Sequence, residues 1–304
     1  MVLEGFLAAG LVLGTPILLA ALGELLVERT GVLNIGVEGV MLGGAFAAAL
    51  GAWATGSVTA GVVSAGATGI ALALLFAFAT VRLGADQIIV GAALNLLALG
   101  VTGALYRAVL GATGTALVLP TLPALELPLL RQIPVLGTAL FGQHALVYLG
   151  LCLTPVLAFV LTHTGLGLRV RALGDHPLAA ASLGLPVRSY RTLALAAGGM
   201  LAGLGGAALT LAATNTFVEG ITAGRGFIAL AVVVFGRWSP WGVLGGALLF
   251  GLASALQFQF QAAALAIPYQ VFLMLPYVLT LGVLLVSTGA VRAPRALGAR
   301  YDRE

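Results

Sequence analysis

This sequence predicts an all-α polytopic membrane protein, on three observations. Hydrophobic residues make up 61% of the 304 residues and charged residues only 8%, with a mean hydropathy of +1.12, whereas soluble domains carry about 25% charged residues. The apolar residues gather in runs close to the ~20 needed to cross a bilayer core. A polar, glycine-rich pattern near the N-terminus also recurs towards the other end, the trace of an internal duplication.

The runs follow in order. Residues 6–22 form the first span; Pro16 is tolerable there because neighbours can satisfy the freed carbonyl. Around its end, in residues 24–46, Glu24, Glu28, Glu38, Arg29 and Asn34 lie inside or against apolar sequence, where a charge near the bilayer centre costs roughly 2.5–3.5 kcal/mol on insertion scales. Gly31, Gly36, Gly39, Gly43 and Gly44 in the same stretch predict a broken helix or a close approach to a neighbour. The second span is 36–54, the third 58–80, and the fourth 88–105, which follows Asp86-Gln87 and carries Asn95.

Residues 106–144, with Pro120, Pro123, Pro128 and Pro134, read as a surface loop with short helices. A fifth span covers 145–161, 165–191 is a polar loop, and the sixth span, 192–213, carries Gly199-x3-Gly203. Residues 227–235 are too few to cross, so they form a half-helix or continue a span begun in 219–225; 241–256 and 268–286 complete the set. The sum is about nine crossings (8–10), with broken helices, in a single transmembrane domain over 1–304.

Arginine placement orients the scheme. With 165–191 and the tail 289–304 in the cytoplasm, eleven arginines fall inside and three, Arg107, Arg131 and Arg225, outside. The N-terminus is then outside, the C-terminus inside, and 106–144 on the outer face. The net charge of +4 and pI near 9.7 therefore reflect helix ends rather than a nucleic-acid partner.

Several chemistries are excluded. There is no lysine, so no G-x-x-x-x-G-K-[ST] phosphate loop exists, and any driving nucleotide hydrolysis must occur on another chain. Cys152 stands alone, ruling out an intrachain disulfide or cysteine metal cluster. His144, His163 and His176 are dispersed without ligand spacing, no nucleophile constellation is present, and no metal site is expected. The N-terminus MVLEG lacks a basic n-region, so the first helix is expected to be retained.

Asn34-x3-Glu38-Gly39-x3-Gly43-x2-Phe46 aligns without gaps with Asn215-x3-Glu219-Gly220-x3-Gly224-x2-Phe227. Five predicted crossings separate the copies, so they lie at opposite faces, as an inverted repeat requires. Two roles fit these carboxylates: lining a pathway, or capping the helices they precede. In 165–191, Asp175 suits an N-cap, Pro177 a first turn, 178–183 a short helix, and Gly184 with Pro186 its end. Flanked by arginines, this helix reads as a docking element for a cytoplasmic partner, or as a surface helix on anionic lipid.

Residues 15–50 (TPILLAALGELLVERTGVLNIGVEGVMLGGAFAAAL), 167–207 and 227–251 (FIALAVVVFGRWSPWGVLGGALLFG) resemble the inner-membrane permeases of bacterial ABC importers for nucleosides, a branch of the superfamily that also handles ribose-type sugars and branched-chain amino acids. The GVLNIGVEG run, 31–39, is the most specific part. The resemblance implies a type II-like ABC importer permease paired with a second related permease. It further implies a cytoplasmic ATPase subunit with two cassettes, which binds ATP and Mg while this chain binds no cofactor, and an extracytoplasmic nucleoside-binding lipoprotein. By analogy Asn34, Glu38, Asn215, Glu219, Asn95, Phe46 and Phe227 line the pathway. Arg169, Arg171, Asp175, Pro177, Ala180, Leu183 and Gly184 form the coupling element that meets the ATPase. Gln257 and Gln261 share a helical face and suit interhelical hydrogen bonds, interfacial hydration or a ribose hydroxyl; Trp238, Trp241 and Tyr277 suit interface anchoring or packing. The competing readings are a sugar or branched-chain amino acid permease, and an ion-coupled secondary transporter using Glu38 and Glu219.

Overall fold

The computed structural model describes residues 2–110, 118–125, 137, 140–262, 274, 278, 282 and 293–301. Among the described residues ten helices are delimited, in the order α1 (Val2–Glu28), α2 (Val37–Thr55), α3 (Val58–Ala77), α4 (Gln87–Leu105), α5 (Ala145–His163), α6 (Gly165–Asp175), α7 (Pro177–Ser182), α8 (Val187–Ala208), α9 (Arg225–Phe235) and α10 (Pro240–Ala262). α3, α4 and α8 each close in a wider π turn, Phe78–Arg82, Tyr106–Leu110 and Leu209–Ala213. Seven of these helices, all but α6, α7 and α9, are long and apolar enough to cross a membrane. The predicted span 268–286 and much of 106–144 lie outside the described residues.

α1 and α10 run longer than the predicted spans 6–22 and 241–256, and α8 starts five residues before the predicted 192; two further boundaries also differ. α4 runs on through Tyr106–Leu110 because no glycine or proline interrupts the chain there. Residues 165–191 are largely helical, since Thr164 caps α6 by accepting a hydrogen bond from Gly167 N at 3.2 Å and no proline intervenes before Pro177.

α1 and α8 form the centre. A Cβ on Gly23 would lie 2.7 Å from the Gly198 carbonyl oxygen, one on Gly198 2.9 Å from that of Gly23, and one on Gly205 2.7 Å from that of Pro16. Rising numbers on α1 meet falling numbers on α8, so the helices are antiparallel. In the register that pairs Asn34 with Asn215, residues 16–23 correspond to 197–204, so this seam maps onto itself to within one residue. The flanking contacts also exchange. α3 packs on α8, where Cβ atoms on Gly69 and Gly203 would reach 2.1 Å and 2.3 Å from the Gly199 and Ala65 oxygens; α10 packs on α1, where one on Gly251 would reach 2.1 Å from the Gly10 oxygen. The same register carries α2 onto 218–236. Only 225–235 of that stretch are helical, as α9, and the first two turns are unwound.

In lipid, helix association relies on close van der Waals packing rather than the hydrophobic effect, so these backbone contacts hold the bundle. Gly203→Val is expected to lower the unfolding midpoint of the purified protein in detergent, overpacking costing about 1–3 kcal/mol. Gly245→Val, where a Cβ would meet nothing within 4 Å, should leave it near the wild-type value. Equal midpoints would show that the seam is not tightly packed.

Candidate functional site

The helix break after α1 is held by side chains. The Glu24 carboxylate accepts from the Asn34 backbone amide at 3.0 Å, Asn34 Oδ1 accepts from Gly36 N at 3.1 Å, and Gln87 Oε1, at the start of α4, accepts from Leu33 N at 2.7 Å. Asn34 is buried. Its role here is to fold the break back on itself so that α2 can begin.

Asn95 of α4 completes the start of α2. Its Oδ1 accepts from Gly39 N at 2.8 Å and its Nδ2 donates to the Ile35 carbonyl at 3.0 Å. Those backbone groups are an i, i−4 pair, so the Asn95 amide is inserted where a helical hydrogen bond would run. Among the first free amides of a helix, one is thereby satisfied from a neighbouring span.

Glu38 joins this break to the second one. Its Oε1 accepts from Gly224 N at 2.9 Å and its Oε2 from Gly226 N at 2.6 Å, so it caps α9 from another helix. A Cβ on Gly226 would lie 2.5 Å from Glu38 Cα; glycine lets the start of α9 rest on the first turn of α2. α9 has 11 residues, about 16 Å at 1.5 Å per residue, roughly half of a ~30 Å core. Its other end abuts Trp238 beside the end of α1, so its N-terminus lies inside the membrane. There free amides are costly, and a carboxylate at the positive end of the helix dipole is favourable. The preceding unwound stretch carries positive φ at Gly220, Ala223 and Gly224, of 69°, 46° and 83°.

The second copy of the pattern is arranged differently. Glu219 is exposed, with both carboxylate oxygens 3.1 Å from Arg107 Nη1 at the end of α4. Asn215 is exposed with φ +56°, and its carbonyl accepts from Leu119 N at 3.0 Å. Phe46 is buried edge-on to Phe217 with centroids 5.3 Å apart, and Tyr106 packs on the same ring. Phe227 is half-exposed in the first turn of α9. The structure thus gathers Asn34, Glu38, Asn95 and Phe227 around the N-terminus of α9, and leaves Asn215, Glu219 and Phe46 towards the opposite end. The pairing of Glu219 with Arg107, the Gln87 tie and the Gly226 contact were not foreseen. Only Gln87, a polar residue beside Asp86 at the head of a span, carried a signal in the sequence.

The other end of the bundle holds α6 and α7. Asp175 does not cap α7: it closes α6, its carboxylate accepts from Arg295 N at 3.3 Å, and His176 takes the cap position with ψ 75°. Pro177 requires an extended residue before it, and that residue is His176. Gly184 ends α7 at φ +82°, Ala180 is buried, and Leu178 and Leu183 are exposed. Arg169 Nη1 donates to the Tyr190 hydroxyl at 3.2 Å, and Arg171 Nε reaches the Gly167 carbonyl at 3.4 Å. The tail crosses this region: Ala296 N donates to Gly174 O at 2.8 Å and Gly298 N to Gly31 O at 3.1 Å. Arg191 Nε donates to Thr30 O at 3.2 Å while its guanidinium lies over Tyr301. Trp238, buried, donates its indole N–H to Glu28, and Arg29 Nε donates to the Trp238 carbonyl at 3.1 Å. A cavity of about 490 Å³ separates α7 from residues 299–301. Among the described residues no group of three His, Cys, Asp or Glu is placed to hold a metal ion.

Glu38→Gln keeps the shape but offers one acceptor oxygen to two amides, and Glu38→Ala offers none. Each lost charge-assisted hydrogen bond costs about 1.5–3 kcal/mol, so unfolding midpoints in detergent are expected to fall in the order wild type, Gln, Ala. Three equal midpoints would mean that the cap contributes nothing.

The family described as branched-chain amino acid transport system / permease component matches residues 6–284. The chain is 38% identical to the putative glucose ABC transporter permease protein TsgC13 of Haloferax volcanii, covering 99% of this chain and 98% of that one. It is 36% identical to the guanosine ABC transporter permease protein NupQ of Bacillus subtilis (99% and 97%) and 35% identical to the nucleoside ABC transporter permease protein NupC of Lactococcus lactis (98% and 97%). No solved structure matches it. The expectations of an all-helical, multi-pass chain and of an ABC importer permease are borne out, and the chain belongs to the permease-component family of branched-chain amino acid transport systems.

Proposed function

We propose that the chain is one of two permease subunits of an ATP-driven nucleoside importer in the cytoplasmic (inner) membrane, with its N-terminus outside and its C-terminus in the cytoplasm. The observation that carries the substrate is end-to-end similarity to a guanosine and a nucleoside permease, together with the GVLNIGVEG run that the structure places at the break between α1 and α2. Glucose is the second reading, because TsgC13 is as similar over the same length.

The second permease is inferred from the relatives. NupP of Bacillus subtilis, 29% identical over 78% of this chain, and NupB of Lactococcus lactis, 34% identical over 32%, carry the same descriptions as NupQ and NupC. Each organism thus has two such permeases, and this chain takes the place of NupQ or NupC. A cytoplasmic ATPase subunit binds ATP and Mg, and α7, with its exposed Leu178 and Leu183, docks on it. An extracytoplasmic lipoprotein delivers the nucleoside to the opposite end. Asn34, Glu38, Asn95 and Phe227 flank the pathway where α9 begins, and Asn215, Glu219 and Phe46 flank it nearer the outside. Nucleotide-driven movement of α6 and α7 reaches the break through the tail, which bonds to Gly174 and Gly31 alike.

Uptake of labelled guanosine into cells whose other nucleoside transporters are deleted tests this reading. Unlabelled nucleosides are expected to compete and glucose not to; the reverse pattern would make the protein a sugar permease. Ala180→Pro, which breaks α7, is expected to abolish uptake while the chain remains membrane-inserted. Undiminished uptake would remove α7 from the coupling path.

A further inference from the structure

Where α1 and α5 end and α10 begins, the protein forms a cavity of about 680 Å³, within the roughly 300–1,000 Å³ typical of small-molecule sites. Its walls include Arg29 just beyond α1, Arg171 and Asp175 of α6, Arg295 of the tail, and the hydroxyl-bearing Thr162 and Ser239. Three guanidiniums therefore face one carboxylate.

That carboxylate does not neutralise them. Asp175 accepts the backbone amide of Arg295. Arg29 turns to the Trp238 carbonyl, Arg171 has a single long hydrogen bond to Gly167, and Arg295 Nη1 lies 3.4 Å from His176 Nε2. Among the described residues none of the three forms an ion pair. Glu28, behind the wall, is taken by the Trp238 indole. Burial, then the charge of Arg171, holds the Arg29 guanidinium below the usual arginine range, with Asp175 opposing. Among the described residues the cavity therefore has a surplus of positive charge, partly withdrawn from water, at the level where two membrane spans end and a third begins. Planar guanidinium forks match the oxygens of phosphate, and lipid phosphates lie at this level.

We propose that this cavity binds a phosphate-bearing anion through Arg29, Arg171 and Arg295, supplied either by an anionic phospholipid headgroup or by a soluble phosphate compound. Bound there, the anion joins the end of α1, α6 and the tail. The site does not depend on which solute the protein carries.

The test uses the delipidated, detergent-purified complex with its co-purifying chains. Phosphatidylglycerol, phosphatidylcholine or inorganic phosphate is added, and the unfolding midpoint and the bound species by native mass spectrometry are recorded. Phosphatidylglycerol is expected to stay bound and raise the midpoint, and phosphatidylcholine not to. In Arg171→Gln/Arg295→Gln its affinity is expected to fall about 30-fold, roughly a factor of five for each basic residue near the membrane surface. Arg82→Gln/Arg188→Gln, which removes two arginines outside the cavity, should not change it. If the double variant does not fold, Arg295→Gln alone, on the exposed tail, carries the comparison with a fivefold loss. Protection by phosphatidylglycerol alone assigns the site to a headgroup. Variant-sensitive protection by inorganic phosphate as well assigns it to a soluble phosphate compound. Equal binding of the two lipids, no binding at all, or unchanged affinity in the cavity variants would overturn the proposal.

Discussion

A helix that ends inside a membrane leaves amides that neither water nor its own backbone can satisfy. Two helices of this protein begin that way, and each is completed by a side chain from elsewhere. Glu38 supplies both oxygens to the start of α9, and Asn95 supplies its amide to the start of α2. Because Glu38 itself sits in the first turn of α2, the two completions are linked. If Asn95 or the Asn34–Glu24 bond failed to set α2 in place, α9 would lose its cap. Glu24, Asn34, Glu38 and Asn95 are therefore engaged with backbone, and the groups around α9 are preorganised rather than loose.

The two repeats share an architecture but not an end state. The first copy makes a continuous α2; the second unwinds the corresponding turns and leaves only α9 helical. Their carboxylates diverge accordingly. Glu38 bonds to amides in the interior, whereas Glu219 meets Arg107 in an exposed pair of the kind worth only about 0–1 kcal/mol. Such a pair is easily exchanged for another partner, while the Glu38 cap is not. At the other end, Arg191, the tail and the Glu28–Trp238–Arg29 cluster bind α6, α8 and the α1 break into one unit, so displacement of α7 has a mechanical route to Gly31.

Most of the architecture was legible because hydropathy and helix breakers are local. The spans, the break near Gly31–Gly36 and the shortness of the helix at 227–235 followed from runs, glycines and length. The gapless Asn-x3-Glu-Gly pattern gave the register in which α1 exchanges with α8. What was not legible is non-local. The amides that Glu38 caps belong to residues nearly two hundred positions away, and backbone amides leave no mark in a sequence. Asp175 illustrates a local failure: it is a good cap by type, but Pro177 fixed the extended position one residue later. The tail, short and basic, gave no hint that it returns to bond with Gly31 and Gly174.

The most direct measurement is a mild-detergent purification of the tagged chain, expressed from its native chromosomal setting, with mass spectrometry of the proteins that accompany it. A permease subunit of an ATP-driven importer should bring with it a second polytopic chain and a soluble protein carrying two phosphate loops. Recovery of this chain alone, with uptake that collapses when the ion gradient is dissipated, would contradict that assignment and make the protein a secondary transporter.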